Sequence, residues 1–171
     1  MKKFLFHISR ITETIEKTIV FSSILLMMAN STANAIGRYA FGKSLFFSEE
    51  LNQFLIVAVT FIGFAYAVRK GRNIRMTALY DSLGYPAKKF IATLIAITTS
   101  LLMFYLSYKA YIYVVEVKDL NRLSPALQFP MYLVFSIIPV GLAMAGLQYI
   151  IAFFMNLTHK EIYLSHDMVD I

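Results

Sequence analysis

Apolar residues along this chain gather into four long runs separated by short polar stretches. An α-helix rises about 1.5 Å per residue, so roughly 20 apolar residues cross the ~30 Å hydrocarbon core of a bilayer. The clearest run covers residues 48–68. It opens on Ser48, Glu49 and Glu50 and breaks into Arg69, Lys70, Arg72 and Arg75. The other three cover about 18–41, 90–113 and 130–155. The pattern predicts an all-α integral membrane protein, a single membrane domain over residues 1–171 with four transmembrane helices. Two surface helices are expected beside them. In residues 1–17, Phe4, Ile8, Ile11 and Ile15 share one face, and Lys2, Lys3, Arg10 and Lys17 fill the others. After the second span, Met76, Leu79, Tyr80 and Leu83 recur at i, i+3, i+4, i+7, and Gly84 and Pro86 end that helix. Lys88 and Lys89 then lead into the third span.

Within the spans a few positions break the apolar pattern. Residues 30–35 are unusually polar for a span, and two readings of Asn30 and Asn34 stay open: glue against another helix, or a wet outer end. The segment Ala33-Asn34-Ala35 resembles a signal-peptidase site, but Glu13 and Glu16 in the leading region weigh against cleavage. Ser48 is placed to cap the second helix, and Glu49 and Glu50 complement its positive end. Alternatively, one of these carboxylates pairs with a basic residue of a partner subunit. Gly63 and Ala67 form a small-xxx-small step, and Gly141, Ala145 and Gly146 form a smooth face in the fourth span. Pro139 leaves the Phe135 carbonyl without a helical donor and predicts a bend. Tyr105, Tyr108, Tyr111 and Tyr113 mark an aromatic belt. Val114, Val115, Val117 and Leu120 carry the third helix onward until Ser124-Pro125 stops it. Residues 159–171 read as a polar tail.

Composition supports the membrane reading: 58% of residues are hydrophobic and 15% charged, too apolar for a soluble domain of 171 residues to bury. The net charge of +6 does not indicate nucleic acid, because the basic residues flank apolar spans and face lipid headgroups. Arg69, Lys70, Arg72, Arg75, Lys88 and Lys89 are the expected headgroup anchors. Ten Lys and Arg lie in the N-terminal segment and the loop between spans two and three, against five in the other two loops. The positive-inside rule therefore puts both termini in the cytoplasm. No cysteine is present, which excludes thiol and disulfide chemistry. His7, His159 and His166 lie outside the spans, so a membrane bis-histidine haem site is not available, and no cofactor or metal site is expected. No Asp, Glu, Lys, Arg or His stands near the middle of a span, where transporters keep functional charge. No nucleophile motif or phosphate loop points to an enzyme. These residues suit a packing partner. The competing reading is a small homo-oligomeric channel or exporter in which Asn30, Thr32 and Asn34 line a path.

Two blocks then resemble a known family. Glu49-Glu50, Gly63…Ala67-Val68-Arg69 and Asn73-Ile74-Arg75-Met76 form the first. Ser124-Pro125-Ala126-Leu127-Gln128-Phe129-Pro130-Met131-Tyr132, followed by Ile138-Pro139-Val140-Gly141, forms the second. In this order they resemble the small, DctQ-like membrane subunit of tripartite ATP-independent periplasmic (TRAP) transporters, over nearly the whole length. Many relatives carry His where this chain has Asn73, so a titrating group there is not essential to it. The resemblance implies a bacterial inner-membrane importer of organic acids, sialic acid or C4-dicarboxylates, driven by a sodium gradient. A periplasmic binding protein captures substrate, a large elevator-type membrane subunit moves it, and the small subunit braces the large one. On that reading the interface with the large subunit uses the small-residue faces of spans two and four. Asn30, Asn34, Glu49, Glu50, Gly63, Ala67, Pro139, Gly141 and Ala145 are its expected residues.

Overall fold

The computed structural model describes residues 2–71, 84–158, 161–165 and 168–170, with side-chain detail over 12–71, 84–158 and 161–163. The loop helix expected over 76–83, and with it Arg72, Asn73 and Arg75, lies outside the described residues.

Helix α1 (Lys2–Phe41) runs 40 residues without a break. The expected surface helix and the first span are thus one element, because no Pro and no Gly before Gly37 interrupts the ladder. Gly42 follows at φ 67°, the left-handed conformation in which a helix ends at little cost for glycine. Helix α2 (Ser48–Arg69) carries Glu49 and Glu50 in its first turn, as expected. Its N-cap, however, is Phe47, which offers no side-chain acceptor. Ser48 is already helical and only 1% exposed, so the capping role expected of it is not taken up.

Helix α3 (Tyr85–Asp119) is 35 residues long, or about 52 Å, and overruns a ~30 Å hydrocarbon core. Pro86 sits in its first turn, where a missing N–H leaves no bond unmade, so Gly84–Pro86 starts this helix. Lys88 and Lys89 accordingly stand at the start of α3. The predicted extension beyond the tyrosine belt is present, and Val114 and Val117 are buried. The helix stops at Asp119, with Asn121 in the left-handed region at φ 46°, several residues ahead of Ser124-Pro125. The fourth run divides into α4 (Met131–Phe135) and α5 (Ile137–Thr158) at Ser136, where Pro139 withholds the donor that Phe135 needs.

The expected polar tail instead forms a short antiparallel ribbon, β1 (Ile162–Ser165) with β2 (Met168–Asp170), and pairs Tyr163 with Val169. An isolated two-stranded ribbon is marginal in water. Here Asn156 of α5 steadies it: its amide donates to the Tyr163 carbonyl at 2.8 Å, and its carbonyl accepts the Tyr163 N–H at 2.6 Å.

Four helical segments are long and apolar enough to cross a membrane: Thr12–Phe41, Ser48–Arg69, Tyr85–Asp119 and Met131–Thr158. They pack as a row, α1 against α2, α2 against α5, and α5 against α3; α1 makes no substantial contact with α3 or α5. The core is correspondingly thin. Ala65, Val68 and Ala145 are buried where α2 meets α5, with Phe64, Met144 and Tyr149 around them. Small side chains dominate that seam because, between helices in lipid, close backbone approach and dispersion replace the hydrophobic drive.

Candidate functional site: polar clamps along the helical row

At the end where α1 begins and α2 finishes, Glu16 and Arg69 form a bidentate ion pair. Arg69 Nε lies 2.9 Å from Glu16 Oε2, and Nη2 lies 2.9 Å from Oε1. Their side chains are only 3% and 1% exposed. Beside them Lys70 Nζ approaches Glu13 Oε1 to 2.7 Å. Glu13 and Glu16 stand three apart on one face of α1, and Arg69 sits in the last turn of α2, where its charge suits the dipole. Arg69 therefore turns inward onto Glu16 rather than outward to solvent. Desolvating an arginine is tolerable only with a carboxylate in place, and Glu16 supplies it. Lys70 is likewise engaged by Glu13. Of the other expected anchors, Lys88 and Lys89 occupy the first turn of α3.

Toward the far end of α1, the choice left open for Asn30 and Asn34 resolves in favour of packing. Asn30 Nδ2 donates to the Ser48 carbonyl at 2.9 Å and to Asn52 Oδ1 at 2.8 Å. Asn52 Nδ2 donates to Ser31 Oγ at 3.0 Å, and Asn34 Oδ1 accepts the Leu45 N–H at 2.8 Å. Asn30 is thus bonded to α2 of the same chain, and Asn34 to the loop that leads into it. Glu16, Ser23 and Asn30 recur every seven residues and are all buried, a polar heptad seam along α1.

At the opposite end Glu50 accepts two backbone N–H groups from the loop after α3, Ala126 at 2.6 Å and Leu127 at 2.8 Å. That loop is folded on itself. Ser124 N–H donates to the Phe129 carbonyl at 3.0 Å, and Phe129 N–H donates to Ser124 Oγ at 3.2 Å. Gln128 takes φ 52°, and Leu123 bridges Pro130. Phe54 of α2 meets the Phe129 ring at 6.0 Å. Glu50 is thus engaged inside the chain, each of its oxygens accepting one main-chain N–H. The two sequence blocks that carried the family resemblance meet here in space.

The small residues separate into two groups. Gly141 lies against the backbone of Phe61: a Cβ there would stand 2.6 Å from the Phe61 oxygen. Ala145 is fully buried in the same seam. Both face α2 of their own chain. Pro139 is half-buried, and its carbonyl accepts Ser107 Oγ at 2.8 Å from α3. Gly63 is looser, with Val20 Cγ2 at 3.7 Å from a built Cβ. Ala67 is half-buried and Glu49 exposed. Among the described residues, the buried Gln148 Oε1 has no hydrogen-bond partner. The Glu16–Arg69 pair was missed in the sequence. Its one signal was two glutamates three apart in an otherwise basic segment.

A row of four membrane-crossing helices held by polar clamps at its two ends defines a multi-pass membrane protein built around helix packing. Residues 27–159 match the DctQ component of tripartite ATP-independent periplasmic transporters. Over 163 residues the chain is 41% identical to the ectoine TRAP transporter small permease protein TeaB of Halomonas elongata, covering 95% of this chain and 84% of that protein. The chain belongs to the DctQ family and is a small permease subunit of a TRAP transporter.

Proposed function

We propose that this chain is the scaffold of a three-part importer in the bacterial inner membrane, with both termini in the cytoplasm. It braces a large elevator-type membrane subunit that carries the substrate and sodium sites and receives substrate from a periplasmic binding protein. The observation that supports this most directly is where its ionisable side chains go. Glu13, Glu16, Glu50, Arg69 and Lys70 hold this chain's own helices and loop together, and the middle turns of its spans carry no charge for coupling. A scaffold needs fixed packing; a pump or an enzyme needs a polar centre. The chain is accordingly read as a non-enzyme.

The similarity to an ectoine system favours an ectoine-like solute as cargo over sialic acid or a C4-dicarboxylate. Ectoine also bears a carboxylate, so the cargo stays within the organic-acid class. Uptake into liposomes under a sodium gradient tests both points, with labelled ectoine, sialic acid and succinate offered to this chain alone, the large subunit alone, and both with the binding protein. Uptake of ectoine by the full set only is the expected result. Flux through this chain alone would overturn the scaffold reading.

A further inference from the structure

The outward face of α2 is unlike the outward faces of α3 and α5. Glu49, Gln53, Ile56 and Thr60 recur at intervals of four, three and four, so they form one stripe, and all four are exposed. Three of the four are polar. Among the described residues Glu49 makes no ion pair, and neither the Gln53 amide nor the Thr60 hydroxyl makes a hydrogen bond. Ser31 of α1 is also exposed and, through its bond to Asn52, extends the polar surface across the α1–α2 seam. Thr60 lies 12 residues beyond Ser48, about 18 Å along the axis of α2 and near the middle of a bilayer.

Elsewhere the exposed positions suit lipid. The outward stripe of α5 is Val140, Leu147, Ile151 and Phe154, all apolar. On α3 the exposed mid-span Thr98 stands singly among Leu94, Ile95, Leu101 and Leu102, whereas on α1 exposed Thr32 adjoins Ser31 beside the α2 stripe. Hydrocarbon cannot satisfy an amide and a hydroxyl, and leaving such groups unpaired costs on the order of 1–3 kcal/mol each. A largely polar stripe on a membrane helix is therefore matched by another protein surface, not by acyl chains.

We infer that the Glu49–Gln53–Thr60 face of α2 is the surface on which the large membrane subunit docks, through a helix that presents hydrogen-bonding side chains to Gln53 and Thr60. This rests on the scaffold reading above. It places the contact on an inner helix of the row, flanked by α1 and α5, with half-buried Ala67 continuing the stripe toward the basic end.

Benzoylphenylalanine, which inserts into neighbouring C–H bonds on illumination, is placed at Gln53, Thr60, Leu101 or Leu147 of the chain co-expressed with its large subunit. Adducts with the large subunit from positions 53 and 60, several-fold above those from 101 and 147, are expected. In parallel, Thr60→Phe should lower recovery of the large subunit on tagged small subunit several-fold, while Leu101→Phe leaves it unchanged. Adducts from 101 or 147 instead, adducts to a second copy of this chain, or co-purification without adducts at 53 and 60 would overturn the docking face while leaving the scaffold reading intact. Failure of the unmodified chain to co-purify with any large subunit would remove both.

Discussion

Gly141, Gly146 and Gly63 all lie on helices of the packed row, and replacing each with alanine should rank them steeply. In a helix interior alanine is favoured over glycine by about 1 kcal/mol, so each change begins with a gain. At Gly63 the new methyl meets Val20 Cγ2 at 3.7 Å, an ordinary contact, and that gain survives. At Gly146 it meets the Phe104 ring at 3.1–3.3 Å, where a modest ring shift roughly cancels it. At Gly141 it meets the oxygen, carbonyl carbon and Cβ of Phe61 at 2.6–2.8 Å. Those atoms belong to the backbone of α2 and its first side-chain carbon and cannot swing away. To restore the 3.4 Å at which ordinary contact begins, α2 and α5 must separate by about 0.8 Å along their seam. Overpacking of that kind costs about 1–3 kcal/mol, so after the propensity gain Gly141→Ala should be net destabilising by up to about 2 kcal/mol. Reversible unfolding in mixed micelles, or melting followed by size-exclusion chromatography, measures the three variants side by side. At roughly 2–4 °C per kcal/mol, Gly141→Ala should melt several degrees low and Gly63→Ala at or above the parent. A Gly141→Ala variant as stable as Gly63→Ala would refute the close seam between α2 and α5.

Three further outcomes follow from the clamps. Glu16→Ala leaves Arg69 desolvated without its carboxylate and should cost about 3–5 kcal/mol in the same unfolding assay, whereas the double variant Glu16→Leu with Arg69→Met should recover most of it; equal losses in both would deny the pair its role. Glu50→Ala removes the acceptor for the Ala126 and Leu127 N–H groups, so protease cleavage between residues 120 and 130 should accelerate while the spans stay intact, and an unchanged cleavage rate would count against the outer clamp. Asn156→Ala should speed hydrogen exchange at the Tyr163 amide by roughly tenfold, the loss of about one net hydrogen bond, as read by mass spectrometry.

Much of this architecture is local, and local features are legible in a sequence. Four apolar runs of bilayer length specify four crossings without reference to any contact, because length and hydropathy alone decide whether a helix is stable in hydrocarbon. Pro139 fixes the break beside Phe135 for an equally local reason, the missing N–H. The ordered blocks around Glu50, Arg69, Ser124 and Pro139 point to the DctQ family in the same way. Capping was less legible: Ser48 has the right chemistry, but burial against α1 takes it into the helix, and Phe47 stands at the cap.

Tertiary structure decided which surfaces those helices turn to one another. Glu16 and Arg69 are 53 positions apart, and Glu50 stands 76 and 77 positions from the two amides it accepts. No periodicity links such distances. Gly63 and Gly141 have the same chemistry in the sequence, yet Gly63 has room for a methyl while Gly141 is pressed against the Phe61 backbone. In a soluble protein an apolar stripe would have marked the inward face of each helix. In lipid the outward face is as apolar as the inward one, so hydropathy carries no record of helix rotation, and only the packed row reveals it.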